Sequence, residues 1–419
     1  MERLNQIKDQ ITAPFAQSQE TLTSKKSDDV VIISAYRTPI TKGGKGYFKD
    51  VKSDELLYRF LVEFLAKLPS DFNPGKIGDV SVGNVLNKGA GATEFRAACL
   101  AAGIPYSTPF SVINRQCSSS LTTVNDIANK IKVGQIEVGL ALGIESMSQF
   151  YGPGAIADIS DVLKKDKEAA KCGIPMGITN ENIAAKYTLS REDQDKFAAE
   201  SYQKAEKALK QGLFKEEILP ITIDSYKEDP DDEDEKPQKV TVDTDGGPRA
   251  NVTAQSLGKI RAAFKKDGTT TAGNSSQVSD GASGVLLAKR STAEKLGLPI
   301  IGKYIDFVAV GVPPEIMGVG PGYAIPELLT KNGVNVSDVA VFEINEAFAG
   351  QAIWSINKVG IDYNKVNPRG GAIALGHPLG ATGGRQVATI MRELKTGEIG
   401  VTSMCIGTGM GAAALFVKE

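Results

Sequence analysis

A chain of 419 residues carries one histidine, His377, and four cysteines, at positions 99, 117, 172 and 405. These few side chains are the natural places to look for nucleophilic or proton-transfer chemistry. His377 lies in ALGHPLGATGG, with glycines on both sides and Pro378 directly after it. That composition predicts a tight loop rather than a helix or strand interior. An imidazole there can polarise a neighbouring thiol or donate to a developing oxyanion. The plainer reading is a histidine that only hydrogen-bonds its own loop. No two cysteines have the spacing of a zinc ribbon or a redox pair. Multi-histidine metal sites and two-histidine mechanisms are excluded by the count alone.

Cys117 stands in NRQCSSSL, between an inferred strand, FSVIN (110–114), and an inferred helix over 118–133. A sulfur at a helix N-terminus meets free N–H groups and the positive end of the dipole, so a thiol of lowered pKa is expected. The alternative is a buried structural cysteine. Cys405, in SMCIGTGMG, is expected at a strand end beside bare backbone N–H groups, a setting suited to proton transfer. It too could be structural. Asn345, in EINEAF, follows a strand and precedes a helical stretch, where its amide could hold a water or a substrate oxygen, or cap the helix.

The elements that must position these residues repeat. VVIISAY (30–36) reads as a buried strand, and Leu56, Leu57, Phe60, Leu61, Phe64 and Leu65 fall at helical spacing over 54–68. DVSVGNVL (79–86) and VGLALGIE (138–145) read as strands. Between them, Leu121, Val124, Ile127, Ala128 and Ile131 mark one face of a helix that starts at serines and stops at Gly134. This is the alternation of an α/β fold. Near residue 301 it begins again: IGKYIDFVAVGV matches the opening strand, VAVFEINEAF (339–348) the second, and GVTSMCIGTGMGAAALFV (400–417) the stretch VGLALGIESM. Asn84 precedes Cys117 by 33 residues, and Asn345 precedes His377 by 32. The four candidate residues therefore end equivalent strands of two halves. Ligand sites of open α/β sheets form at such carboxyl ends.

Residues 151–270 differ, with charged helical stretches such as 190–211 and an acidic run, EDPDDEDEK (228–236), expected to be a solvated loop. The whole chain is 41% hydrophobic and 23% charged, with net charge -2. That balance argues against a nucleic-acid binder. No apolar run approaches the roughly 20 residues of a membrane span. Scattered cysteines with no recognisable secretory signal make a reduced intracellular protein the default expectation.

The stretches NRQCSSS, TAGNSSQVSDGA (271–282), GVPPEIMGVGP (311–321), NEAF, GHPLGATGGR and CIGTGMG resemble the thiolase family in order and spacing, above all its fungal peroxisomal 3-ketoacyl-CoA branch. The resemblance runs from about residue 30 to the C-terminus. It implies two duplicated five-stranded α/β halves in α-β-α-β-α layers. The N-terminal half would be 29–150 with 271–300, the loop domain 151–270 and the C-terminal half 301–419, with residues 1–28 as an extension. It implies thiolytic cleavage of 3-ketoacyl-CoA by coenzyme A, with Cys117 as the acylated nucleophile, His377 as its activator and Cys405 as the proton donor. Asn345 with His377, and the N–H groups of Cys117 and Gly407, would form two oxyanion sites. Ser276 would contact pantetheine, Met317 would line the acyl pocket, and Met176 would join them among the residues that bind substrate and coenzyme A. Coenzyme A is a co-substrate, no cofactor is permanently bound, and a homodimer is expected.

Two departures from the family pattern stand out. Ser120 occupies a position where the family usually has glycine, which predicts crowding beside the reactive turn. Pro175-Met176-Gly177 lacks the histidine that acetoacetyl-type members usually carry, which favours the degradative branch. Arg3-Leu4 with Gln10-Ile11 resembles a bipartite peroxisomal signal, implying an import receptor as partner and the peroxisome matrix as location, with the cytoplasm as the fallback. Competing readings are an acetoacetyl-CoA thiolase and a silent acyl-CoA or lipid-binding relative.

Overall fold

The structure, a computed structural model, describes residues 19–152, 155, 158–225 and 237–419. The targeting-like segment (3–11) and the acidic run (228–236) lie outside them. The first half-sheet contains β1 (Val30–Arg37), β3 (Asp79–Gly83), β4 (Phe110–Ile113), β5 (Val138–Ser146) and β8 (Ser279–Lys289), in the order β1-β8-β5-β3-β4. The short strand β2 (Thr41–Lys42) hangs on β8. The second contains β9 (Gly302–Gly311), β10 (Val339–Ile344), β11 (Ile399–Ile406) and β12 (Met410–Lys418), in the order β9-β12-β11-β10. The pairing repeats: β3 runs parallel to β5 as β10 does to β11, and β5 antiparallel to β8 as β11 does to β12. The halves join where β1 pairs antiparallel with β9.

The second half departs from the five-strand expectation at its edge. A single parallel bridge, Phe342 to Val366, stands where β4 stands in the first half. Asn367 turns into the left-handed region at φ 43°, and Pro368 has no N–H to donate, so the pairing stops there.

Helices fill the spaces between and outside the sheets. The central layer consists of α3 (Ser119–Lys132) and α8 (Thr382–Glu393), taking α1 as Ser53–Ala66, α2 as Ala92–Ala101, α4 as Met176–Tyr187, α5 as Arg191–Lys210, α6 as Gly320–Lys331 and α7 as Ala349–Val359. Leu121, Val124 and Ile127 of α3 and Val387, Ile390 and Met391 of α8 pack between Val285 and Leu287 of one half-sheet and Met404, Ala414 and Phe416 of the other. The first half-sheet is covered on its outer face by α1, through Leu56, Phe60 and Phe64. The second is covered by α6 and α7, through Ile325, Leu328, Ala352 and Ile356. Five layers, α-β-α-β-α, result. Because both faces of each half-sheet are covered, their strands read as continuous apolar runs rather than alternating ones.

The segment between β5 and β8 holds α4 and α5, as the charged helical pattern predicts. It also holds an antiparallel hairpin, β6 (Ile221–Ser225) with β7 (Gln238–Val242), flanking the acidic run. The insertion remains mainly helical; in its short strand pair Ile221 and Ile223 turn into the core of the first half while Thr222 faces out, a period-2 pattern too short to stand out in the sequence. Among the described residues no helix is long and apolar enough to cross a membrane.

Candidate active site

The turn between β4 and α3 is held in a costly conformation. Gln116 adopts φ 48°, a left-handed value worth on the order of 1–3 kcal/mol of strain in a residue other than glycine. Its surroundings fix it there. The Gln116 N–H donates to Asn114 Oδ1 (3.0 Å), and the Ser119 hydroxyl donates to the Gln116 carbonyl (2.6 Å) while accepting from the Arg115 N–H (3.0 Å). Ser119 thus ties down the turn, whereas the hydroxyl of Ser118 makes no capping bond. Cys117 follows the strained residue directly, as residue and turn together aim its sulfur.

That sulfur is surrounded by protein even though the residue as a whole is partly exposed. Burial pushes the thiol up to about 11, against the pull of the Gly407 N–H and its own N–H, with Glu145 adding to the rise. The expected lowering at a helix N-terminus is therefore overturned for the resting site. Desolvation outweighs two N–H donors. The donors still mark where negative charge is best received.

Cys405 lies in β11, paired with Gly411, with the strand running one residue past it. It is buried in a small cluster with Met317, Ala347 and Phe348, against which Met176 packs. Its thiol donates to Gln351 Oε1 at 2.8 Å. Burial holds the thiol well above its ordinary value, and the nearby Cys117 sulfur raises it further. The two sulfurs, 288 positions apart in sequence, are electrostatic neighbours. Cys99 belongs to the outer core of the first half, and Cys172 ends a short helix, so neither joins this cluster.

His377 is locked at both ring nitrogens. Nδ1 is 2.6 Å from Thr382 Oγ1, and the Thr382 hydroxyl donates to the Pro378 carbonyl (2.9 Å). Nε2 is 3.2 Å from Asn345 Nδ2. Burial, and after it the charge of Arg385, push the imidazole down to about 3, so it is neutral at any ordinary pH. Asn345 is itself fixed by its N–H bond to the Ser403 carbonyl (2.8 Å), and its Oδ1 is buried without a hydrogen-bond partner among the described residues.

The first turns of α3 and α8 bring the histidine loop beside the cysteine turn. A Cβ at Gly383 would stand 2.3 Å from the Leu121 nitrogen, and one at Gly380 2.6 Å from the Ile144 carbonyl oxygen. Only glycine permits this approach. The Gly380 N–H donates to Glu145 Oε2 (2.9 Å), while Glu145 also accepts from Val85 and Leu86. Ser120 does not crowd the turn. Its hydroxyl accepts from the Gly384 N–H at 2.9 Å, and its Cβ occupies space left by Gly143.

Sequence profiles agree with this architecture. One described as "Thiolase, N-terminal domain" matches residues 30–291, and one described as "Thiolase, C-terminal domain" matches 298–418. The chain belongs to the thiolase family. It is 61% identical to the peroxisomal 3-ketoacyl-CoA thiolase of Saccharomyces cerevisiae, with all of both chains covered, and 58% identical to that of Yarrowia lipolytica, again over both whole chains. The crystal structure of the dimeric peroxisomal thiolase of Saccharomyces cerevisiae superposes with a TM-score of 0.90 at 62% identity, covering 96% of this chain and 100% of that one. Human mitochondrial 3-ketoacyl-CoA thiolase in complex with CoA superposes at 0.80 with 34% identity, covering 93% of this chain and 98% of that one.

Around the thiolase sulfurs, Met317 is buried beside Cys405, and the Met176 sulfur would be 3.7 Å from a Cβ at Gly407. Ser276 is half-buried, and its N–H donates to the Ala347 carbonyl (2.9 Å), which places it against the NEAF segment. Phe264 closes this region from outside. Its ring meets Phe348 edge-on (6.1 Å between centroids) and fills the space above Gly177. The loop carrying it lines a surface cleft with Arg191, Arg261, Lys265 and Lys266. Arg191 is committed to Asp195 and to the carbonyls of Leu257 and Ile260. The side chains of Arg261, Lys265 and Lys266 have no hydrogen-bond or ion-pair partner among the described residues.

Sequence reasoning missed Thr382, Glu145, Gln351 and this basic loop. Thr382 follows His377 by five residues at a helix start, a position where a threonine is usually read as a cap. Gln351 and Glu145 carry no local signal, because their partners come from other strands. The loop does have one: the run RAAFKKDG combines cations with an aromatic residue.

Proposed function

We propose that this chain is a degradative 3-ketoacyl-CoA thiolase that cleaves its substrate with coenzyme A into acetyl-CoA and a shortened acyl-CoA, through an acyl-Cys117 intermediate. The observation that carries the reading is the contrast between two neighbouring sulfurs: Cys117 faces N–H donors, and Cys405 faces a carbonyl acceptor. Retro-Claisen cleavage needs one sulfur that becomes negative and attacks, and another that holds a proton until a carbanion needs it.

The neutral His377, with a lone pair on Nε2, takes the Cys117 proton as the sulfur adds to the 3-keto carbon. The developing oxyanion is received by the N–H groups of Cys117 and Gly407, donors of a kind worth about 10²–10³-fold in rate. The carbon–carbon bond breaks, and the enolate of acetyl-CoA, its oxygen held by Asn345 and His377, takes the proton of Cys405. Incoming coenzyme A returns a proton to Cys405 and attacks the acyl-Cys117 thioester, and the departing Cys117 thiolate recovers its proton from His377. One thioester replaces another, and the cycle closes without a redox step.

Met317, Met176 and Phe348 offer an apolar wall for the acyl chain, and Ser276 lies where the pantetheine arm would pass. Arg261, Lys265 and Lys266 supply cations for the phosphates of coenzyme A. Residues 151–270 act as the loop domain over that cofactor-like substrate, between an N-terminal half of 29–150 with 271–300 and a C-terminal half of 301–419. The absence of a histidine at Pro175-Met176-Gly177 favours the degradative branch over acetoacetyl-CoA synthesis. The chain works as a homodimer in the peroxisome matrix, delivered by the receptor for its N-terminal signal. The resemblance of that signal and the peroxisomal relatives support this placement. The silent-relative reading loses its one support, since Ser120 is seated in the helix contact.

The test is to mix purified protein with acetoacetyl-CoA and with a long-chain 3-ketoacyl-CoA in turn, each with free coenzyme A, and to measure acetyl-CoA formed. Faster thiolysis of the long-chain substrate is expected. No acetyl-CoA from either would overturn the assignment.

A further inference from the structure

Gln351 is fully buried in the first turn of α7, between the two chemical halves of the site. Its backbone N–H donates to Asn180 Oδ1 (3.1 Å), and its Cβ fills the space left by Gly318, where a side chain would stand 2.5 Å away. The side chain therefore has one direction to go. Its Nε2 donates to the carbonyl of Asn345 (3.3 Å), and its Oε1 receives the thiol of Cys405 (2.8 Å). Turning the amide over would set two carbonyl oxygens against each other, so the Asn345 carbonyl decides which end faces the sulfur.

We propose that Gln351 is a positioning residue that keeps Cys405 protonated and aims its hydrogen, so that Cys405 serves as the acid while Cys117 serves as the nucleophile. This deepens the thiolase reading and rests on it. A carbonyl oxygen next to a sulfur stabilises the S–H form and destabilises a thiolate, whose charge would face the negative end of the amide dipole. Cys117, facing N–H groups, has the opposite bias. When Cys405 gives its proton to the acetyl-CoA carbanion, the S–H bond breaks and a C–H bond forms. The resulting thiolate lies against the Gln351 oxygen and is driven to recover a proton from the coenzyme A thiol, whose sulfur then attacks the acyl group. The same contact links the proton donor to Asn345, so the peptide that carries the oxyanion amide also sets the orientation of the acid.

Two variants of the full-length protein test this, with readouts that separate the sulfurs. Release of free coenzyme A on mixing with acetyl-CoA reports acylation of Cys117. Incorporation of solvent deuterium into the methyl carbon of acetyl-CoA by the acylated enzyme reports Cys405. Gln351→Met is expected to leave the acylation burst unchanged, to slow deuterium incorporation tenfold or more, and to lower kcat for thiolysis by the same factor with KM unchanged. Gln351→Glu, when its carboxyl is protonated, presents the same donor and acceptor. It is expected to restore activity at low pH and lose it as the pH rises through its own ionisation, a limb the wild-type profile lacks. Deuterium incorporation within twofold of wild type in Gln351→Met, or equal loss of burst and incorporation, would overturn the proposal. Absence of thiolysis in the wild type would instead sink the parent reading and leaves a different signature, since every variant would then be equally inactive.

Discussion

The Thr382 hydroxyl gives its one hydrogen to the Pro378 carbonyl and therefore accepts, rather than donates, in its 2.6 Å contact with His377 Nδ1. The Nδ1 position must carry the proton, which leaves Nε2 as an acceptor for the Asn345 amide in the resting site and, in the proposed mechanism, as the base that takes the Cys117 proton. A threonine that looks like a helix cap is thus the group that fixes the tautomer.

Replacing it removes that constraint. Thr382→Val keeps the shape and deletes the acceptor, so a fraction of the imidazole adopts the other tautomer. A fall in kcat of about 10–100-fold is expected, the usual size for loss of an orienting partner. Nitrogen NMR of His377 checks the cause: the wild type is expected to show a protonated Nδ1, the variant a mixture. Full activity in the variant would mean Thr382 orients nothing.

Ser120→Gly tests the contact between the two central helices. The Ser120 hydroxyl accepts a first-turn N–H of α8, and loss of such a bond costs about 0.5–2 kcal/mol. Glycine in a helix adds roughly 1 kcal/mol more. Urea unfolding is expected to show a lower midpoint, and thiolysis no gain. A large gain in kcat would show that the serine compromises the turn after all.

The basic loop should act on binding alone. Lys265→Ala combined with Lys266→Ala is expected to raise KM for coenzyme A several-fold, more at low salt than at high, with kcat nearly unchanged, because exposed charges are screened within about 10 Å at 0.1 M salt. Initial rates at two salt concentrations decide it. An unchanged KM at low salt would remove the phosphates from this loop.

Buried carboxyls predict the pH dependence of stability. Burial pushes Glu145 up to about 7, against the N–H groups of Gly380, Leu86 and Val85 and the Asn84 amide. Burial and then Glu343 push Glu393 up to about 8 despite Arg369. In an unfolded chain both titrate near about 4.3. The native state therefore binds more protons in between, and the stability they contribute is full below about 4.3 and lost as the pH rises through 7 and 8. His377 acts oppositely: its native value of about 3 lies below the unfolded one, so its contribution is present above about 6.5 and fades as the pH falls. Urea midpoints should decline from pH 6.5 to pH 9. A flat or rising series would contradict the burial of these carboxyls as neutral acids.

Much of this site is legible in the sequence because its residues end strands. Cys117, Asn345 and His377 each follow a β-strand or its remnant and precede a helix, and the near-equal spacings from Asn84 to Cys117 and from Asn345 to His377 reflect one topology used twice. What could not be read there depends on the third dimension. The resting state of Cys117 is set by how much protein surrounds its sulfur, and no local pattern reports that. Gln351 and Glu145 act on partners brought from distant strands. The missing edge strand after β10 was foreshadowed only by the dipeptide Asn367-Pro368. The place of Ser120 depended on three glycines, 83, 143 and 384, that surround it from other elements.

The acyl-enzyme itself gives the most direct test. Protein mixed with a 3-ketoacyl-CoA in the absence of free coenzyme A, quenched in acid and digested, should yield one modified peptide in the mass spectrum, bearing the shortened acyl group on Cys117. Modification of Cys405 instead, or substrate turnover with Cys117 unmodified and dispensable, would contradict the account.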